Sequence, residues 1–237
     1  MTKKQIPGVS TRSLALAGLL AGLCLLLRGA EPAARTLVYH ERRGSVVETQ
    51  TYTLTREGEG FRVVLLRRTP DGRERRDECL LDGDLATLSW TFRDTRGPSE
   101  LSASRQGERI LLEGRFEGQP VKRSLKIDGQ PWRQLFSIDF AAEAAKGVDS
   151  FGFWSVGTEG PGKLRAAEFR ARSLGEEELS WNGAWVATVR YRIALKGFRS
   201  MFWHGDYWFR RADGRYLKYD GGGGFFSGRV TKELVSE

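Results

Sequence analysis

The chain has 237 residues, 29% of them charged and 40% hydrophobic, and carries a formal net charge of +8 at pH 7. This length is sufficient for one large domain with a continuous core. Half of the positive excess belongs to Lys3, Lys4, Arg12 and Arg28, and the basic residues beyond them are interleaved with acids, as in RTPDGRERRDECLLDGD. Because a nucleic-acid-binding protein needs clustered basic residues, we predict no nucleic-acid partner.

The N-terminal segment has the pattern of an export signal. Basic residues precede LALAGLLAGLCLLL, an uncharged run over residues 14–27. This length is typical of the apolar part of a secretory signal, and as a helix it reaches about 21 Å against a hydrocarbon core of about 30 Å. We predict a signal peptide over residues 1–30, and after its removal a periplasmic or exported Gram-negative protein with peripheral or no membrane association. The alternative is an uncleaved inner-membrane anchor whose domain faces the periplasm.

Residues 31–237 are predicted to form a single β-rich envelope domain. From Arg35 onward, runs rich in Val, Leu, Thr, Tyr, Phe and Trp are separated by turn signals such as Asp71-Gly72, Asn182-Gly183 and Asp213-Gly214. Asn-Gly and Asp-Gly favour the positive φ angles of tight hairpins. The pattern predicts a mainly β fold, a single curved antiparallel meander of roughly a dozen strands that forms a half-barrel or open barrel.

One segment favours a helix. The helix-forming residues 141–146 follow Asp139, a possible N-cap, and end at Gly147, a residue typical of the position after a helix. The predicted helix lies near residues 139–146. We predict one short helix there, packed against the sheet because about two turns are too few to persist alone.

The cysteines exclude an internal disulfide in the exported domain. Cys24 lies in the signal run and leaves Cys79 as the single cysteine beyond it. The strand RRDECLL places Cys79 and Leu81 on one face and Glu78 and Leu80 on the other. We predict that Cys79 is a buried packing residue.

An aromatic concentration follows in the C-terminal third. In AWVATVRYRIAL the apolar residues fall on one face, and MFWHGDYWFRRADGRYLKYDG places seven aromatic residues within 19 positions. A short connection at Lys196-Gly197 predicts that the two strands are hairpin neighbours facing the same interior. The predicted ligand-binding residues are therefore Trp185, Val189, Tyr191, Trp203, Tyr207 and Phe209. The same six residues fit a packed core equally well, and an exposed sugar-binding platform is the third interpretation.

No catalytic or metal-binding constellation accompanies these residues. His204 and Asp206 share a strand face, but no third ligand or nucleophile recurs at an informative spacing. We therefore predict no catalytic residue, no metal ligand and no cofactor.

The arrangement FGFWSVGTEG, GEEELSWNGAWVATVRYRIALKG and FWHGDYWFRRADGRYLKYDG, within residues 150–235, resembles a bacterial exported family of unknown function. That family is similar in fold to the lipoprotein carriers of the LolA and LolB type, whose curved antiparallel sheet shelters acyl chains. The resemblance implies a half-barrel and permits a lipid-binding role.

Together these features predict a non-enzymatic envelope protein that binds an apolar ligand, such as an acyl chain or lipid, or a lipoprotein, on its concave face. The alternative is a structural or assembly module with a filled core that contacts other envelope proteins. A hydrolase of envelope glycans is disfavoured because neither paired carboxylates nor a nucleophile with a base is evident.

Overall fold

The structure, a computed structural model, describes residues 34–95, 97–160, 162–197, 203–222 and 228–237, and the predicted signal peptide lies outside them. The described chain forms fourteen strands and two short helices. In order they are β1 (Ala34–Arg43), β2 (Val46–Glu57), β3 (Gly60–Arg68), β4 (Glu74–Leu81), β5 (Thr87–Asp94), β6 (Ser99–Gln106), β7 (Arg109–Phe116), β8 (Gln119–Lys126), α1 (Phe136–Asp139), α2 (Ala141–Lys146), β9 (Ser150–Gly160), β10 (Lys163–Trp181), β11 (Ala184–Leu195), β12 (His204–Arg210), β13 (Tyr216–Gly222) and β14 (Arg229–Ser236).

All fourteen strands belong to one antiparallel sheet in the order β8-β7-β6-β5-β4-β3-β2-β1-β14-β13-β12-β11-β10-β9. Two meanders, β1–β8 and β9–β14, are joined where β1 pairs with β14, so that Tyr39 lies opposite Leu234. The edges β8 and β9 share no strand pairing, and the barrel stays open along what we call the seam. The predicted mainly β fold, a single curved antiparallel meander forming an open barrel, is confirmed.

Side chains rather than backbone pairs cross the seam. The Nη1 atom of Arg123 in β8 donates a hydrogen bond to the carbonyl oxygen of Leu164 in β10 at 2.6 Å. The backbone N–H of Gly162 donates to Oε2 of Glu117 at 2.6 Å. The two sheet ends therefore lie against each other without merging into a closed ladder.

The predicted helix near 139–146 is present as two short helices, α1 and α2, inside the barrel. Gly147 follows α2 with a φ of 67°, as expected for a residue after a helix. Asp139 is not the N-cap of α2, because Phe140 occupies that position. The Asp139 carboxyl group instead accepts the backbone N–H of Leu135 at 2.7 Å and stabilises the start of α1. Within the described residues, no helix is both long and apolar enough to cross a membrane.

Two predicted turns have the backbone that their residues favour. Asn182 and Gly183 both have positive φ, 49° and 77°, which is typical of a two-residue hairpin between twisted strands. Gly214, with a φ of 68°, lies so close to α2 that a Cβ atom there would collide with the carbonyl oxygen of Ala141. A residue other than glycine at position 214 would therefore displace the β12–β13 turn from the helix.

Burial follows the two-residue period of the strands. In β4, Asp77, Cys79 and Leu81 are buried, whereas Leu80 is exposed and Glu78 is half-buried. Cys79 is fully buried, and burial raises the pKa of its thiol well above the usual value. The prediction that Cys79 is a buried packing residue is confirmed.

Candidate ligand-binding site

Most of the predicted ligand-binding residues lie in a filled interior. Four are buried: Val189, Tyr191, Tyr207 and Phe209. Tyr191 pairs with Tyr207 across β11 and β12, which are neighbours as predicted. The helices cover these rings, since Phe136 of α1 lies 6.3 Å from Tyr207 and Phe140 lies 6.3 Å from Phe209 between ring centroids. The space behind β11 and β12 is therefore occupied by the protein's own side chains.

The other two predicted residues lie at the margin. Trp203 is partly buried, packs edge-on against Phe169 at 5.6 Å, and donates its indole N–H to the Gly222 carbonyl at 3.0 Å. Trp185 is 72% exposed, so the expectation that it faces the interior is wrong. The reason is its position beyond Thr188, where the pairing of β11 with β12 ends. The hairpin continues past the core at that point.

An open cleft of about 500 Å³ lies at the seam, away from these residues. Its apolar walls are Trp90, Phe92 and Phe116 on one side and Val156 and Leu164 on the other. Its polar side chains are Arg75, Asp94, Ser99, Glu117, Gln134 and Thr158. We call this space, with these lining residues, the seam cleft.

The second wall exists because both faces of β9 carry buried side chains, Phe153 on one and Val156 on the other. Phe153 and Phe169 lie opposite each other and stack at 5.4 Å on the face that contacts α1. Val156, buried on the other face, lies across the cleft from the rings of the β5–β7 region. Thr158 pairs with Leu164 in the register of β9 and β10, and both line the cleft. The end of the sheet therefore contributes one face to the core and the other to the cleft.

The linker before α1 fixes the two walls relative to each other. The amide of Gln134 bonds the edge of β9 twice, donating to the Val156 carbonyl at 3.0 Å and accepting the Val156 N–H at 3.1 Å. On the opposite side, the backbone N–H of Thr87 donates to the carbonyl of Trp132 at 2.7 Å. The linker thus bridges β5 and β9, and the cleft opens beside this bridge.

A buried charge pair borders the seam cleft. Asp77, 2% exposed, accepts hydrogen bonds from Arg75 Nε at 3.1 Å, from Arg75 Nη2 at 3.3 Å and from the indole N–H of Trp90 at 3.0 Å. The Arg75 guanidinium lies 4.4 Å from the centroid of the Phe92 ring, a cation–π arrangement. Burial lowers the pKa of Arg75, partly offset by the Asp77 carboxylate. The group offers hydrogen-bond donors and positive charge beside an apolar surface.

The structure places His204 and Asp206 in different surroundings. His204 is exposed, whereas Asp206 is bound by Arg190 Nη2 at 2.5 Å and by Arg192 Nε at 2.8 Å. Burial alone would raise the pKa of Asp206, but the hydrogen bonds from the two arginines lower it. Within the described ranges, no cluster of three His, Cys, Asp or Glu residues could hold a metal ion.

Sequence reasoning missed the seam cleft although β4 carried a signal for it. In ERRDECLL the two-residue period places Arg75 and Asp77 on the same face as Cys79 and Leu81. Charged residues on a core-facing strand surface are uncommon unless they are paired or bind something. This signal could have directed attention to β4 instead of the aromatic segment near the C-terminus.

Comparisons with known proteins agree with this architecture. No family model and no curated protein matches the chain. Among solved structures, the chain is similar to a β-barrel-like protein of a domain of unknown function, DUF1849, from Brucella abortus, with a TM-score of 0.56 over 87% of this chain and 98% of that one. At 9% identity this likeness shows the fold alone. The predicted resemblance to a bacterial domain of unknown function is confirmed at the level of a barrel-like fold, and the similarity to lipoprotein carriers stays a prediction.

Proposed function

We propose that this protein is a non-enzymatic protein of the bacterial cell envelope that binds an amphipathic acyl ligand in the seam cleft. One observation carries the proposal: an open cleft of about 500 Å³ with apolar side chains on both walls and a guanidinium beside them. Small-molecule sites typically have volumes of about 300–1,000 Å³ and combine apolar walls with few polar groups. The export signal predicted over residues 1–30 supports the envelope location.

The shape of the cleft favours a narrow apolar chain over a compact polar molecule. Phe92 and Phe116 face it from one sheet end, and Val156 and Leu164 face it from the other. An acyl chain between the walls would remove apolar surface from water on both sides, with a gain of about 25 cal/mol for each Å² buried. Sugar hydroxyl groups that face these four apolar side chains would have no partners there.

The proposal can be tested with a fluorescent fatty acid and a variant that fills the cleft. Thr158 is exposed, lies opposite Leu164 and lines the cleft, so Thr158→Trp places an indole in the entrance. Thr53→Trp is the matched control, because Thr53 alternates with the buried Tyr52 and so points away from the interior. Wild type and the control should enhance the fluorescence of dansyl-undecanoate, whereas Thr158→Trp should weaken its binding at least tenfold.

Two results would contradict the proposal. If wild-type protein that has been stripped of bound lipid leaves the fluorescence of the probe unchanged, the protein does not bind acyl chains. Equal binding by wild type and Thr158→Trp would place the ligand elsewhere. Circular dichroism spectra and thermal unfolding of all three proteins would confirm that each variant keeps the fold.

A structural or assembly module is the second candidate function, and the packed interior favours it. Phe140 and Phe153, 4.8 Å apart between ring centroids, leave the lumen near α1 filled by the chain itself. In that case the outer surface would bind other envelope proteins, and Trp185 is its most exposed large apolar side chain among the described residues. Native mass spectrometry of protein isolated from its own envelope would distinguish a bound small molecule from a protein partner.

A further inference from the structure

Besides the hydroxyl of the exposed Thr158, the polar side chains of the seam cleft offer little free hydrogen-bonding capacity apart from one guanidinium. Gln134 already bonds β9 through both ends of its amide. The Ser99 hydroxyl accepts the backbone N–H of Glu117 at 2.9 Å, and the Glu117 carboxylate accepts the N–H of Gly162 at 2.6 Å. Asp94 also has an interaction partner. A ligand that enters the cleft therefore meets acceptors and amides that are largely occupied.

Arg75 is the exception. A guanidinium carries five N–H donors, and both of its hydrogen bonds within the described residues, from Nε and Nη2, go to Asp77. The Nη1 group makes no hydrogen bond within the described residues, and the carboxylate of Asp94, which lies opposite Arg75 in β5, also acts on this guanidinium. The Arg75 side chain is 28% exposed and lies over Phe92, which is itself a wall of the cleft. These free donors are therefore within reach of a molecule in the cleft.

A second guanidinium, that of Arg67, also faces Asp77, although Arg67 does not line the cleft. Arg67 Nε lies 3.8 Å from an oxygen of Asp77, beyond hydrogen-bond distance, and this buried atom has no hydrogen-bond partner in the described part of the chain. One buried carboxylate thus faces two arginines. The nearby carboxylates of Glu41 and Glu48 are engaged by the side-chain amide of Gln50, at 2.7 and 3.1 Å.

We infer that the seam cleft binds amphiphiles with an anionic head, a carboxylate or a phosphate, which Arg75 holds while the tail lies between the apolar walls. The inference rests on the proposed acyl-binding function and adds the chemistry of the head group. Charge-assisted hydrogen bonds from arginine to carboxylate or phosphate are stronger than bonds between neutral groups. A cationic ammonium head offers these donors no acceptor, and a neutral hydroxyl accepts a weaker hydrogen bond than an anion does.

Amphiphiles with one tail and different heads test the inference. Dodecanoate, dodecyl phosphate, dodecanol and dodecyltrimethylammonium would each compete with dansyl-undecanoate at concentrations below micelle formation. With wild type, at least one anion should displace the probe at a concentration about tenfold lower than dodecanol. Preference for dodecanoate identifies a carboxylate ligand and preference for dodecyl phosphate a phosphorylated one, and either result supports the inference.

Adjacent arginines supply the variant and its control. Arg75→Gln should reduce the preference for the anion, measured as the ratio of the displacing concentrations of dodecanol and the anion, to less than about threefold. Arg76→Gln should keep the preference, because Arg76 lies on the opposite face of β4, paired with Glu78. Arg75→Lys retains the charge beside Asp77 and should keep part of the preference for the anion. This variant replaces Arg75→Gln in the experiment if Arg75→Gln fails to fold.

Different experimental results would overturn the inference about the head group and the proposed acyl-binding function. Equal competition by dodecanol and both anions, or stronger competition by the cationic amphiphile, would overturn the anionic head and leave acyl binding in place. Absence of any binding by the dansyl probe and all four amphiphiles would overturn both. An anion preference that survives in Arg75→Gln would remove Arg75 from the site.

Discussion

Replacement of Phe140 by alanine tests whether α1 and α2 fill the barrel. Phe140 is 1% exposed and lies between the two helices. Its ring is close to four others, with centroid distances of 5.5 Å to Phe136, 5.2 Å to Phe151, 4.8 Å to Phe153 and 6.3 Å to Phe209. The substitution removes the centre of this cluster and leaves a cavity that neighbouring strands cannot close without breaking their ladders.

The expected cost is high for a single substitution. Truncation of a buried phenylalanine to alanine costs about 3–5 kcal/mol, and this range already includes the lost contacts between rings. With four ring neighbours, Phe140→Ala should reduce the free energy of unfolding by about 4–5 kcal/mol. In a domain of about 200 residues this corresponds to a fall in Tm of roughly 8–20 °C.

Urea denaturation followed by circular dichroism measures this loss. The urea m-value should stay constant, because the change affects packing rather than the surface exposed on unfolding. Trp185→Ala is the control: a ring that is 72% exposed should contribute less than about 0.5 kcal/mol. A loss below about 1.5 kcal/mol for Phe140→Ala, with an unchanged m-value, would refute the conclusion that the helices fill the interior.

Two further predictions concern pH and location. Burial raises the pKa of Asp139 to about 8, whereas an aspartate in an unfolded chain has a pKa of about 3.9. The contribution of Asp139 to stability is therefore complete below about pH 4 and is lost as the pH rises towards 8. The unfolding free energy should therefore fall less between pH 5 and 8 in Asp139→Asn than in wild type, as measured by urea denaturation at fixed ionic strength. An equal dependence of the unfolding free energy on pH in both proteins would contradict this. Cell fractionation with N-terminal sequencing should find a periplasmic protein without residues 1–30. A membrane-bound product that retains residues 14–27 would support the anchor, and a cytoplasmic full-length product would contradict export.

The sequence predicted those parts of the fold that depend on local patterns. The period of AWVATVRYRIAL placed Val189 and Tyr191 inside and Arg192 outside, as the structure does. Asn182-Gly183 predicted a hairpin turn because few other residue pairs adopt positive φ at both positions. Strand count, antiparallel order and the core residues of single strands follow from information within about ten residues.

The candidate site required information that local patterns lack. The exposure of Trp185 depends on where β12 stops covering β11, which the alternation within β11 does not encode. The burial of Val156 and Leu164 depends on the contact between two sheet ends, to which β8 and β10 contribute from distant parts of the sequence. The two-residue alternation of a strand assigns it one apolar face. Whether the other face is also covered depends on tertiary contacts, which the alternation does not encode.

The pairing of β1 with β14 has a consequence for how the protein folds. Gln50 and Lys232, which meet inside the barrel beside this pairing, are 182 residues apart. A chain synthesised from its N-terminus exposes the free edge of β1 until β14 follows, and contacts between residues so distant in sequence slow folding because a long loop must close first. Unpaired strand edges invite association with other chains. The interval before the two meanders join is therefore when this protein most needs protection from aggregation.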